Sequence, residues 1–240
     1  MPWTTGEAAQ QNKNIQLTGW TIIFKSLYRV FSLRNSLLLA VLMFLMQCAY
    51  NYVATLLPIF TVQALGWTDQ AYSKSFATAS LIGGIGGMLI GGVLVDKFGK
   101  VRMLNIYYLT LIVLTMLFVF MKSTWVNTTI IFSYMVIYQI MYVFTCIGLF
   151  AISMQCCWKK VSASQFTIYM TIGNMGRIVG AKLIGPMKLS YSWETTILLF
   201  SGILLIGLIA LQFLHINNHL KHVENLDLKY SSINQPYRKT

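Results

Sequence analysis

Acidic side chains are scarce. Six Asp and Glu stand against eighteen Lys and Arg among 240 residues, and charged residues make up only 10% of the chain. A soluble domain carries about 25% charged residues, so an ordinary water-soluble fold is excluded. Cysteine is sparse too, and Cys48, Cys146, Cys156 and Cys157 fall inside or at the end of apolar runs. That placement points to buried or membrane-facing thiols and not to a disulfide framework. No cleavable signal is apparent, because residues 1–17 are polar and the first apolar run starts too far in and is too long for a secretory core. No Ser/His/Asp arrangement, phosphate-binding loop or pair of membrane carboxylates occurs, so neither enzyme chemistry nor a cofactor is expected. The basic residues avoid the apolar runs and gather between them, so the net charge of +12 reads as membrane topology. No nucleic-acid partner is expected.

What is present is hydrophobic residue in long blocks, 56% of the chain. About 20 apolar residues cross a bilayer as a helix, and six stretches meet that length: Ser36 to Leu65, Ser75 to Val95, Val101 to Met121, Thr128 to Met154, Gln165 to Met187 and Thr195 to Leu214. The expected fold is an all-α membrane protein, a bundle of six consecutive up-and-down transmembrane helices over 36–215. A segment at 1–35 precedes it and a tail at 216–240 follows. Thr68 is placed to cap the second span, Ser162 with Gln165 has the spacing of a capping box, and Ser192 with Glu194 suits the start of the sixth. Within the leading segment, Ile23, Phe24, Leu27 and Phe31 fall on one helical face and Lys25 and Arg29 on the other. This reads as an amphipathic helix on the membrane surface; a short solvated linker is the alternative.

Basic residues sort strongly by side. Lys13, Lys25, Arg29, Arg34, Lys97, Lys100, Arg102, Lys159, Lys160, Lys221, Lys229, Arg238 and Lys239 lie on one, and Lys74, Lys122 and Lys188 on the other. The positive-inside rule then places both termini in the cytoplasm.

Between the second and third spans stands Gly92-Val93-Leu94-Val95-Asp96-Lys97-Phe98-Gly99-Lys100-Val101-Arg102. A carboxylate at Asp96 can accept backbone N–H bonds from a neighbouring helix start, Lys97, Lys100 and Arg102 hold the loop inside, and Gly99 permits a tight turn. The run resembles the G-x-L-x-D-[RK]-x-G-[RK] signature of the major facilitator superfamily, including its place between two spans. The resemblance implies a conformational latch formed by Gly92, Asp96, Lys97, Gly99, Lys100 and Arg102; an ordinary basic turn is the simpler reading. Upstream, Gly83, Gly87 and Gly91 form a stripe that lets another helix approach closely, and Gly176 and Gly180 do the same later.

Ser162-Ala163-Ser164-Gln165-Phe166, then Gly176-Arg177 and Gly180, then Trp193, resemble the corresponding region of AmpG-type muropeptide permeases in the peptide/acetyl-coenzyme A/drug transporter group. The Arg34-Asn35 start of the first span is similar in style. The likeness covers roughly 20–214 and implies the C-terminal six helices of a twelve-helix permease, with Met1 to Phe31 resembling the linker between halves. Where such permeases often carry charged or acidic residues in the helices matching the first and fourth spans, this chain has Gln47, Asn51, Tyr138 and Gln139. That leaves no carboxylate in a membrane core and counts against proton coupling by this chain alone.

By family analogy the first and fourth spans line the cavity. Gln47, Tyr50, Asn51 and Thr55, with Tyr134, Tyr138, Gln139, Tyr142 and Thr145, are therefore candidate substrate-facing groups; hydrogen bonding between helices is the alternative for each. Arg177 lies about 13 residues into the fifth span, about 20 Å deep at 1.5 Å per residue, with no acidic partner at that depth. Three explanations stand: a substrate anion, a carboxylate on a second half, or structural satisfaction by carbonyls and water. Asn174, one turn earlier, is expected to share its surroundings, and Lys182 to snorkel outward. Pro58 removes a backbone hydrogen bond and marks either a gating bend or a passive kink. His215, His219 and His222 have a spacing compatible with a metal, but dipole contacts at a helix C-terminus explain them more simply. Cys156-Cys157 beside Trp158-Lys159 reads as an interfacial anchor.

The expected function is therefore secondary transport by alternating access. The resemblance implies a muropeptide-like amphipathic solute, a lipid bilayer and a second six-helix half as partners, and a bacterial inner membrane. A siderophore permease is the related alternative, and a non-transporting truncated or accessory protein the distant one.

Overall fold

The computed structural model describes residues 20–233, with side chains over 23–228. Lys13, Arg238 and Lys239, the polar stretch 1–17 and the Lys229 side chain lie outside the described residues. The described chain is helical with no strand: α1 (Trp20–Phe31), α2 (Arg34–Gln63), α3 (Asp69–Gly86), a π turn (Gly87–Gly91), α4 (Gly92–Phe98), α5 (Lys100–Phe120), α6 (Thr128–Gln155), α7 (Ser162–Ser190), α8 (Trp193–Gln212) and α9 (Ile216–Ile233). Short 3-10 turns at Lys122–Thr124 and Lys159–Val161 precede α6 and α7.

Five of these are long and apolar enough to cross a membrane: α2, the continuous run Asp69–Phe98, α5, α6 and α8. The fifth expected span, α7, has 29 residues but carries Arg177, Lys182 and Lys188, and its place comes from packing. It lies against α2 more extensively than any other two helices pack. The remaining large contacts are α3 with α6, α5 with α6, α5 with α8 and α2 with α8. Exchanging spans one to three for spans four to six maps this set onto itself, the arrangement of an inverted three-helix repeat.

Local chemistry sets most boundaries. Thr68 accepts from Ala71 N at 3.2 Å to start α3, Asn127 accepts from Thr129 N to start α6, and Ser192 accepts from Thr195 N to start α8. Gly99, at φ 90°, makes the tight turn between α4 and α5, and Gly66, at φ 71°, the one after α2. The capping box at Ser162 does not form. The 3-10 turn puts Val161 at the cap position, and Gln165 instead accepts from Trp158 N and donates to the Tyr169 hydroxyl, both at 2.9 Å. Pro58 does not end α2, which continues to Gln63.

The largest apolar cluster runs through α2, α3, α5, α6, α7 and α8. A smaller one gathers Val30 of α1, Trp158 and Val161 before α7, and Val223 of α9. Both flanking helices are thereby docked on the bundle. On α1 the buried positions are Ser26 and Val30, with Leu27 and Phe31 partly covered, while Phe24 (66% exposed) and Tyr28 (77%) face outward. The expected apolar face is thus divided between protein and surroundings. The segment from Ile216, expected as a tail, forms a helix. The histidines correct their expected role as well: α8 ends at Gln212, so His219 and His222 lie in the early turns of α9 and at no helix C-terminus.

Candidate functional site

Midway along the bundle, α2, α6 and α7 bring most of the expected polar groups to one face. Gly173, Gly176 and Gly180 set α7 so close to α2 that a methyl group at Gly176 would lie 2.2 Å from the Phe44 carbonyl oxygen, and one at Gly180 would lie 2.1 Å from that of Cys48. This approach lets Arg177 reach back over α2. Its Nε donates to Gln47 Oε1 at 3.0 Å, and its guanidinium carbon sits 5.7 Å from the Tyr50 ring centre. Asn51 donates to the Arg177 backbone carbonyl at 2.9 Å, tying the same two helices a second time.

An aromatic wall completes the face. Tyr50 stacks on Tyr142 with centroids 3.8 Å apart, and Tyr142 reaches Gln47 Oε1 at 3.5 Å. Tyr138 stacks farther along and donates to the Tyr50 carbonyl at 3.4 Å. The Arg177 side chain is exposed, and among the described residues no hydrogen bond or ion pair takes its two terminal nitrogens. Two planar N–H pairs beside an aromatic wall can bind a carboxylate or phosphate in a fixed orientation.

Other expected members behave differently. Gln139 is buried and donates to Ser80 Oγ on α3, leaving its Oε1 without a partner. Asn174 is exposed and, among the described residues, engages nothing. Thr145 bonds back to the Met141 carbonyl of its own helix, and Tyr134 is buried against Phe118. These two build the core.

At the end of the bundle where α4 meets α5, Asp96, Gly99, Lys100 and Arg102 border a groove of about 680 Å³ that Gln155, His215, Asn217 and Asn218 close. Lys100 donates to Gln155 Oε1 at 2.8 Å, fastening the loop to α6. Asp96 does not cap a neighbouring helix: it is exposed, and among the described residues no hydrogen bond or ion pair engages it. The first residues of α9, Ile216 to Asn218, line the far side of the same groove, but no hydrogen bond among the described residues joins them to Asp96. Gly92 and Lys97 are solvent-accessible, and Lys97 lies over its neighbour Phe98.

The sequence profile of the Major Facilitator Superfamily matches residues 2–181, a stretch containing both the Gly92 to Arg102 loop and Arg177. The chain belongs to the Major Facilitator Superfamily. It is therefore a multi-pass integral membrane protein of a transporter superfamily. No curated protein matches the chain. In this superfamily member the described residues hold no cluster of three or more metal-ligating side chains. His219, almost wholly buried, bonds the Cys156 carbonyl at 2.8 Å. Burial, and secondarily His222, lowers its pKa from the usual 6.5, although the carbonyl contact opposes this. Burial pushes the Cys156 thiol up to about 12 and the Cys157 thiol up to about 11, which keeps both protonated at neutral pH. Sequence reasoning missed Ser80 as the partner of Gln139. Its only signal was a small polar residue one turn before Gly83.

Proposed function

We propose that this superfamily member is the C-terminal six-helix half of a secondary transporter, with Gln47, Tyr50, Tyr142 and Arg177 forming its share of a central solute site. The observation that carries this is Arg177: deep in α7, held at Nε by Gln47, it leaves its terminal nitrogens free beside stacked tyrosines. A side chain this expensive to place in a membrane is a functional group by default. The site is one-sided, so a second six-helix half, from another chain or a second copy, supplies the opposing wall, and alternating access proceeds by rocking of the two halves. Asn174, exposed one turn before Arg177, joins the proposed solute-binding set, while Asn51, Tyr138 and Gln139 position the helices around it. The Gly92 to Arg102 loop is its latch, Asp96 being free to cap a helix of the other half.

The solute is an anionic amphipathic molecule of the muropeptide class, whose carboxylates suit the guanidinium and whose sugar rings suit the tyrosine wall. The membrane is a bacterial inner membrane, with both termini cytoplasmic by the distribution of basic residues. Uptake of labelled muropeptide and of ferric siderophore, measured in matched deletion strains, tests the assignment. Arg177→Lys is expected to reduce muropeptide uptake partially and Arg177→Ala severely at equal protein level. Siderophore uptake alone would reassign the substrate, and absence of both would favour a non-transporting membrane protein.

A further inference from the structure

Where α2 begins and α8 ends, a second cavity of about 340 Å³ opens beside the groove of the Asp96 loop. Its polar lining is Arg34, Asn35, His215, Asn218, His219 and His222, and among the described residues no carboxylate borders it. The first turn of α2 has no side-chain cap, so unpaired backbone N–H groups and the positive end of that helix add to the field. His215 Nδ1 lies 3.0 Å from the Phe213 carbonyl and His222 Nδ1 2.6 Å from that of Asn218. Each ring thus uses one nitrogen on the backbone and keeps Nε2 for a ligand. Arg34 carries the permanent charge. Its guanidinium lies 5.9 Å from the Phe213 ring centre, at the cavity's edge.

The cavity continues into apolar surface. On α2, Leu37 and Val41 follow Arg34 at i+3 and i+7 and are exposed; on α8, Phe213, Ile209 and Ile206 form an exposed stripe at the same spacing. The Arg34–Phe213 contact sets the two rows side by side at their polar ends. A cationic chamber at the level where spans leave the bilayer, with two apolar rows running from it into the membrane, has the shape of an anionic amphiphile.

We propose that this chamber binds the phosphate of an anionic phospholipid, whose acyl chains lie along the exposed faces of α2 and α8. The neighbouring groove is larger and holds Lys100 and Arg102, but Lys100 is bonded to Gln155 and Asp96 stands beside them, whereas no carboxylate among the described residues borders the Arg34 chamber. The site is separate from the Arg177 face, and its occupancy does not depend on the solute transported.

The test uses the full chain purified in detergent and counts bound lipid by native mass spectrometry, comparing phosphatidylglycerol with phosphatidylcholine of identical acyl chains. About a tenfold preference for phosphatidylglycerol is expected, and Arg34→Gln should bring it close to parity while phosphatidylcholine binding stays the same. The double variant His215→Gln/His222→Gln should reduce the preference partially, and it carries the test if Arg34→Gln yields no folded protein on size exclusion. Arg102→Gln, in the adjoining groove, should leave the preference intact. Equal binding of the two lipids by the unmodified chain overturns the proposal, as does a preference that survives in both the Arg34 and the histidine variants. Displacement of phosphatidylglycerol by millimolar glycerol phosphate would also overturn it, because the chamber would then serve a soluble phosphate.

Discussion

The two glycine-striped helices, α3 and α7, occupy equivalent places in the two three-helix repeats yet are built to different tolerances. On α7, Gly176 and Gly180 face backbone, the Phe44 and Cys48 carbonyls. On α3 and its π turn, Gly83 faces Gln139, partly backbone, while Gly87 and Gly91 face the side chains of Val143, Ile147 and Phe144. Each pair is also crossed by one glutamine, Gln47 to Arg177 in the first and Gln139 to Ser80 in the second. The backbone-locked pair carries the proposed solute site, and the pair cushioned by side chains carries the π turn leading to the loop. The same small-residue pattern thus serves a rigid block in one repeat and an adjustable one in the other.

The sharpest way to break this comparison is to add one methyl group to each. Gly180→Ala should cost more than about 3 kcal/mol, the upper end of ordinary overpacking, and abolish recovery of folded protein by size exclusion. Gly91→Ala meets the Ile147 Cδ1 at 2.7 Å, the far end of a flexible side chain, and should remain folded. Equal losses would remove the distinction between the pairs.

The glutamines should differ next. Gln47→Leu strands the Arg177 Nε and should cost about 1–3 kcal/mol, whereas Gln139→Leu loses the bond to Ser80 but also removes an acceptor that lacks a partner among the described residues, and should cost less. Thermal unfolding in detergent reads both. Helix starts come third. Thr68→Ala, at the start of α3, should cost about 1 kcal/mol, and Ser162→Ala, at the start of α7, close to nothing because Ser162 accepts no N–H there.

The smallest effect concerns the connections into the striped helices. The one into α7 is pinned by His219 on the Cys156 carbonyl; the one into α3 turns on backbone bonds and Gly66. Because the His219 pKa is lowered in the folded state, the undocked helix binds the proton more readily. Docking of α9 is therefore fully stabilising above about pH 6.5, the unperturbed value, and weakens as pH falls through the lowered pKa. Hydrogen exchange of α9 amides should rise between pH 7.5 and 5.5 beyond the intrinsic change, and more than in residues 64–68. A His219→Gln variant should flatten that dependence.

Much of this was legible in the sequence because membrane helices write themselves in long apolar blocks. Five long apolar helices, the Thr68 and Ser192 caps and the turn at Gly99 all follow from residue type and spacing. What stayed hidden depends on relations between helices. Gln47 and Gln139 look alike along the chain, and only packing decides that one meets a cation and the other a serine. The sixth span reads as ending at Leu214 with a tail from 216, because nothing in that polar stretch announces the separate helix α9. Ser162 and Gln165 match a capping box, but the buried Trp158 amide claims Gln165 first.

The π turn at Gly87–Gly91 has a geometric consequence for the loop beyond it. One residue inserted into an α-helix changes the phase of everything after it by about 100°, at 3.6 residues per turn. A helical wheel drawn from Gly83 straight through to Asp96 therefore assigns the acidic side chain to the wrong sector. The wide turn works as a phase shifter, uncoupling the azimuth of the Asp96 loop from the glycine seam that fixes the rest of the span.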